Sequence, residues 1–110
     1  MTVGFEKLHA SGFVLRIRPG MAEEYRRRHA AIWPELVAAL RASGVVHYDI
    51  FLDAANLRAY GHVLRSLPPD PTQPEDPEIL RWRAYMADVL EMDDAMPQRD
   101  PIEHVFQMIT

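Results

Sequence analysis

Three residues in this 110-residue chain have the types and spacing to move protons around a bound small molecule: Tyr25, His29 and Trp33. They recur every fourth residue, which on a helix stacks phenol, imidazole and indole along one face. An imidazole titrates near neutral pH, so His29 can both accept and release a proton under physiological conditions. The flat indole beside it offers an apolar surface of the kind that packs on the C–H side of a sugar ring. By spacing alone the same trio also suits a packed aromatic core, with the imidazole a satisfied structural group.

Other catalytic apparatus is missing from the sequence. There is no cysteine, which excludes disulfides, thiolate metal sites and cysteine nucleophiles. Ser11, Ser43 and Ser66 lack the flanking glycines of a nucleophile elbow, and the five glycines are too scattered to cradle a phosphate. His9, His29, His47, His62 and His104 show no metal-ligand spacing such as two imidazoles at i and i+4. No metal and no cofactor is therefore expected.

The trio must be held by a helix. Glu23 and Glu24 suit its first turn, and Tyr25, His29, Ile32, Leu36, Val37 and Leu40 trace an apolar stripe at intervals of three and four. Pro34 lacks an N–H and pushes Trp33 away from helical angles, so the stripe should split into one piece ending near Ile32 and a second starting at Pro34. Arg26, Arg27 and Arg28 are expected to form a solvated face with these glutamates.

Strands flank this pair. Phe13, Leu15 and Ile17 alternate with Val14, Arg16 and Arg18 until Pro19-Gly20. Val45 to Asp53 and Leu57 to Arg65 read as two strands joined by a short turn at Asp53-Ala54-Ala55-Asn56. Five of the nine prolines crowd between Pro68 and Pro77, marking a surface loop over 67–77. Glu78 to Glu91 reads as a second helical stretch, with Ile79, Trp82, Met86, Val89 and Leu90 on one side. An irregular stretch from Met92 to Pro101 then precedes a last strand from Ile102 to Ile109. Asp88 reads either as a pocket acid or as an exposed one.

The order strand, helix, strand, strand, helix, strand, with right-handed crossovers, predicts a ferredoxin-like α+β fold (βαββαβ): a four-stranded antiparallel sheet with two helices on one face. One domain over 1–110 is expected, given 12.7 kDa and a composition close to the globular average. The other sheet face would carry a mixed surface that a second subunit could cover, so a homodimer of the dimeric α+β barrel type is expected. Sixteen acids against twelve Lys and Arg leave a net charge of −4. That balance provides no basic footprint for nucleic acid and no attraction to anionic lipid. Met1 to Lys7 lacks the apolar run of a signal peptide and no stretch approaches a membrane span, which predicts a cytoplasmic protein.

The segment Glu24-Tyr25-Arg26-Arg27-Arg28-His29-Ala30-Ala31-Ile32-Trp33-Pro34-Glu35-Leu36 resembles the E-Y-x-x-R-H-x-x-I-W-P-E-L stretch of the L-rhamnose mutarotase family. Tyr48-Asp49-Ile50-Phe51-Leu52-Asp53 with Asn56-Leu57 is similar to its Y-x-I-x-L-D…N-x-L hairpin, and Trp82 to Val89 resembles its W-W-x-x-M-x-D-x-M helix. The resemblance runs through nearly the whole chain in order, leaving out Met1 to Lys7 and the two irregular loops. It implies a cofactor-free homodimer that interconverts the anomers of a pyranose. On this resemblance His29 is the catalytic acid/base, Tyr25 and Tyr48 line the sugar pocket, and Trp82 is the first of two pocket tryptophans. Arg83 stands where the family has the second, replacing a stacking face with a charged fork. Met92 to Pro97 stands in place of the family's N-P-D-N-S-P loop.

The expected function is thus a mutarotase acting on L-rhamnose or a related hexose. His29 and Tyr25 would be the proton-transfer groups, and Tyr25, Tyr48, Trp82, Trp33 and Arg83 would line the site of a monosaccharide. Two other functions suit the same fold: a cofactor-independent monooxygenase of the dimeric α+β barrel type, and a sugar-binding module without catalysis.

Overall fold

The computed structural model describes residues 8–108; Met1 to Lys7 and Ile109, two places where the sequence carried an expectation, lie outside them. Strand β1 (His9–Arg16) leads to helices α1 (Ala22–Ala30) and α2 (Pro34–Ala42), then to the hairpin β2 (Val45–Asp53) and β3 (Arg58–Arg65). Helix α3 (Pro77–Tyr85) is followed by one turn of 3₁₀ helix at Met86–Asp88 and by three two-residue strands: β4 (Met92–Asp93), β5 (Met96–Pro97) and β6 (Arg99–Asp100). The main sheet is antiparallel in the order β2-β3-β1-β6, the ferredoxin-like arrangement with both crossovers returning over one face.

Local chemistry accounts for the breaks. Trp33 is extended (φ −71°, ψ 128°), as the residue before a proline must be, and Pro34 opens α2 without losing a hydrogen bond that a first turn would make. Gly44 ends α2 at φ 103°, a conformation closed to most side chains. In the β2–β3 turn the Asp53 carboxylate accepts from the Asn56 backbone N–H and side-chain amide.

The core lies between the sheet and the helices. Phe13 and Leu15 on β1, and Ile17 just after it, project onto Tyr25, Met86, Val89 and Leu90, with Ala59 and Val63 from β3 beside them. Phe13 pairs in register with Gly61, and its ring lies where a Gly61 side chain would be: a Cβ there would sit 2.0 Å from ring carbons. Alternation sends Val14, Arg16, Tyr60 and Phe51 to the other face, where Phe51 is 65% exposed.

Two expectations need correction. The second helical stretch ends at Tyr85 and does not run to Glu91, because the following backbone pairs with the end of β1: Arg18 donates to the Val89 carbonyl and Glu91 to that of Arg16, each at 2.9 Å. The described part of the expected last strand, 102–108, is not a strand, and the fourth strand is Arg99–Asp100. Pro101 interrupts it, and the Asp100 carboxylate anchors it by accepting from Arg16 and Arg58 at 2.8 and 3.1 Å. Residues 102–108 join no strand and are exposed. No helix among the described residues is long and apolar enough to cross a membrane.

Candidate active site

A cavity of about 550 Å³ opens between the helices and the inner face of the sheet, within the range of small-molecule sites. Helix α1 brings Tyr25 and His29 to its wall, β2 brings Tyr48, and α3 brings Trp82 and Arg83. The Tyr25 and His29 rings lie 4.3 Å apart, one helical turn from each other, and the Trp82 ring meets the imidazole edge-on at 5.3 Å. Tyr48 rests edge-on against Phe13 at 6.0 Å, so the close approach of Phe13 to Gly61 sets the floor on which this phenol stands.

The electrostatics favour proton transfer through one imidazole nitrogen. His29 Nδ1 lies 2.8 Å from the Tyr25 carbonyl oxygen, which can only accept, so Nδ1 carries the proton and Nε2 is the basic nitrogen. Burial lowers the His29 pKa below its ordinary 6.5 and keeps the ring neutral at physiological pH; the bond to Tyr25 opposes this only in part. Tyr25 is 3% exposed, and its phenol is pushed far upward by burial and by the neighbouring Tyr48. Burial also raises Tyr48. Both hydroxyls therefore stay protonated and available to donate hydrogen bonds.

Trp33 does not reach the cavity wall. Its ring packs edge-on against Trp82 at 5.0 Å and against Tyr85 at 5.0 Å, with the Arg81 guanidinium 4.0 Å above it. It buttresses Trp82 from behind. Arg83 borders the cavity, but its fork is engaged by both Glu75 carboxylate oxygens, at 2.9 and 2.5 Å. The guanidinium holds the Glu75 carboxyl below its usual range and ties the proline-rich loop to α3.

One residue of consequence escaped the sequence reading. Arg28 belongs to no solvated face: its side chain is 9% exposed. It donates to the Asp88 carboxylate at 2.9 and 3.1 Å, to the Tyr85 carbonyl at 2.7 Å and to Glu24 at 2.7 Å, and it lies over the Tyr85 ring. Arg28 thereby fastens α1, which carries His29, to α3, which carries Trp82. Asp88 serves this ion pair and does not border the cavity. The signal available was position: Arg28 follows Tyr25 by three residues and so shares its buried side. Arg26 and Arg27 are exposed, paired with Glu23 and Glu24 as expected.

The family model for L-rhamnose mutarotase matches residues 10–108. The chain belongs to the L-rhamnose mutarotase family. Among other members, the L-rhamnose mutarotase of Sinorhizobium fredii is 42% identical, with 87% of this chain and 94% of that protein covered. That of Rhizobium johnstonii is 41% identical, covering 92% and 97%. The crystal structure of an L-rhamnose mutarotase from Formosa agariphila superposes with a TM-score of 0.75 at 27% identity, covering 91% of this chain and 98% of that one. The matched residues therefore span every element that borders the cavity.

Proposed function

We propose that the chain is an isomerase that interconverts the α and β anomers of L-rhamnose, with His29 and Tyr25 moving the protons. The observation that carries this reading is the single tautomer imposed on His29 by the Tyr25 carbonyl, which leaves Nε2 as a neutral base at the cavity. Nε2 takes the proton of the anomeric hydroxyl as the bond from C1 to the ring oxygen breaks. The ring oxygen takes a proton from the Tyr25 hydroxyl, whose raised pKa keeps it a donor. The open-chain aldehyde turns about C1–C2 and recloses on its other face with the protons returned, so nothing is gained or lost. Tyr48 donates to sugar hydroxyls, Trp82 packs on the ring, and Arg83 positions the adjoining loop. Positioned acid and base groups of this kind contribute about 10²–10⁴-fold, a useful gain for a ring that already opens slowly in water.

The working unit in this proposal is a cytoplasmic homodimer of one-domain chains. The outer sheet face carries Phe51 and Tyr60, and Ile102, Val105, Phe106 and Met108 on the segment after β6 are also exposed. A second copy of this chain would cover such a surface. Light scattering should then give twice the mass of the 12.7 kDa chain.

Magnetisation exchange between the anomeric protons of a panel of sugars tests the activity. Accelerated exchange for L-rhamnose supports the proposal, whereas saturable binding without exchange would make the chain a sugar-binding module. Oxygen-dependent turnover of an aromatic substrate would make it a monooxygenase.

A further inference from the structure

We propose that His47, Asp49 and His62 form a binding site for one divalent transition-metal ion of the zinc type, on the β2–β3 hairpin where His47 also borders the cavity. The two strands bring these residues together although they have no metal-like spacing in the sequence. His47 and Asp49 are two apart on β2 and share a face, and His62 is the register partner of Asp49 on β3. One ligand atom from each lies within 4.8 Å of the other two, and the His47 and His62 rings are 5.7 Å apart. His47 Nε2 is already 2.7 Å from an Asp49 carboxylate oxygen.

Zinc bonds imidazole and carboxylate at about 2.0–2.2 Å, which places tetrahedral ligand atoms roughly 3.4 Å apart. All three side chains are exposed and can close that gap by rotating about their χ angles, with no change in the strands. Two imidazoles and one carboxylate suit zinc and its neighbours in the first transition row, not calcium or magnesium, which take oxygen ligands. The three ligands come from one chain and stand on the outer sheet face with Phe51 and Tyr60, so in the proposed homodimer the ion would lie towards the second copy, with the remaining coordination position left to water. The ion would cross-link β2, the edge strand of the sheet, to β3.

Zn²⁺ itself is the probe. Equilibrium dialysis of the purified protein with metal analysis should find one zinc per chain at micromolar free metal. Co²⁺ should give the visible absorption of a low-coordinate nitrogen and oxygen site. His62→Gln and Asp49→Asn alter exposed side chains and should each weaken Zn²⁺ binding about tenfold or more. Failure of the wild type to bind zinc stoichiometrically would overturn the proposal, as would binding that both variants leave undiminished.

Discussion

His29 Nδ1 and the Tyr25 carbonyl oxygen lie 2.8 Å apart, so a helical backbone group chooses the tautomer of the imidazole. That carbonyl lies four residues back along α1, the ladder partner of the residue 29 N–H, and its second lone pair is left to accept from the ring. The ring is oriented without a carboxylate partner, and no negative charge raises its pKa. A group that must exchange a proton near neutrality is thus kept neutral, with Nε2 as its base.

His29→Asn removes the base while retaining a polar side chain of similar reach. The anomer-exchange rate for L-rhamnose should fall by about 10²–10⁴-fold, with an unchanged far-ultraviolet circular dichroism spectrum. A rate within a few-fold of wild type would move the base elsewhere.

The pH profile follows from the sign of the His29 shift. Its folded pKa lies below 6.5, so the basic form persists as pH falls through the ordinary histidine range. The acid limb of kcat/KM should have its midpoint below 6.5, and Tyr25, raised by burial, should impose no alkaline limb below pH 10. Exchange rates measured from pH 4 to 10 would show both.

Arg28→Met should destabilise the protein by about 2 kcal/mol, since it removes charge-assisted hydrogen bonds from a buried guanidinium. A chain of this size should lose about 8 °C in Tm. The Glu24 carboxyl is held down at about 2 by Arg27 and Arg28, and Asp88 is lowered by Arg28. Their stabilisation is present above the ordinary carboxylate values and fades as pH falls towards 2. The Tm gap between wild type and variant should therefore narrow at pH 3, which thermal melts at pH 3 and 7 would measure.

Gly61→Ala places a methyl carbon where the Phe13 ring now lies. The ring must move away from beneath Tyr48, at a cost of about 1–3 kcal/mol. Urea unfolding should report the loss, and a weaker KM for L-rhamnose should accompany it, because Tyr48 rests on that ring.

Much of this was legible in the residues themselves. The period of two in Phe13, Leu15 and Ile17 and the four-residue steps from Tyr25 to Trp33 are local, and local sterics enforced them: the split at Pro34 and the β2–β3 hairpin stand where the pattern put them, while β1 begins earlier, at His9, and ends at Arg16, two residues before the alternation does. The end of the second helical stretch and the fourth strand were not legible in this way. Apolar residues such as Val89 and Ile102 fit a helix or strand by type, but competition for backbone partners across the sheet decided their conformation.

The sequence by itself determined the strand and helix order, the family, and the residues that could move a proton. Their types and spacings follow from dihedral preferences and side-chain periodicity within a few residues. Tertiary structure alone decided that Trp33 stands behind Trp82, that Arg83 holds Glu75, that Arg28 joins α1 to α3, and that His47, Asp49 and His62 meet across two strands. Each of these is a pairing between groups that become neighbours only when the chain packs.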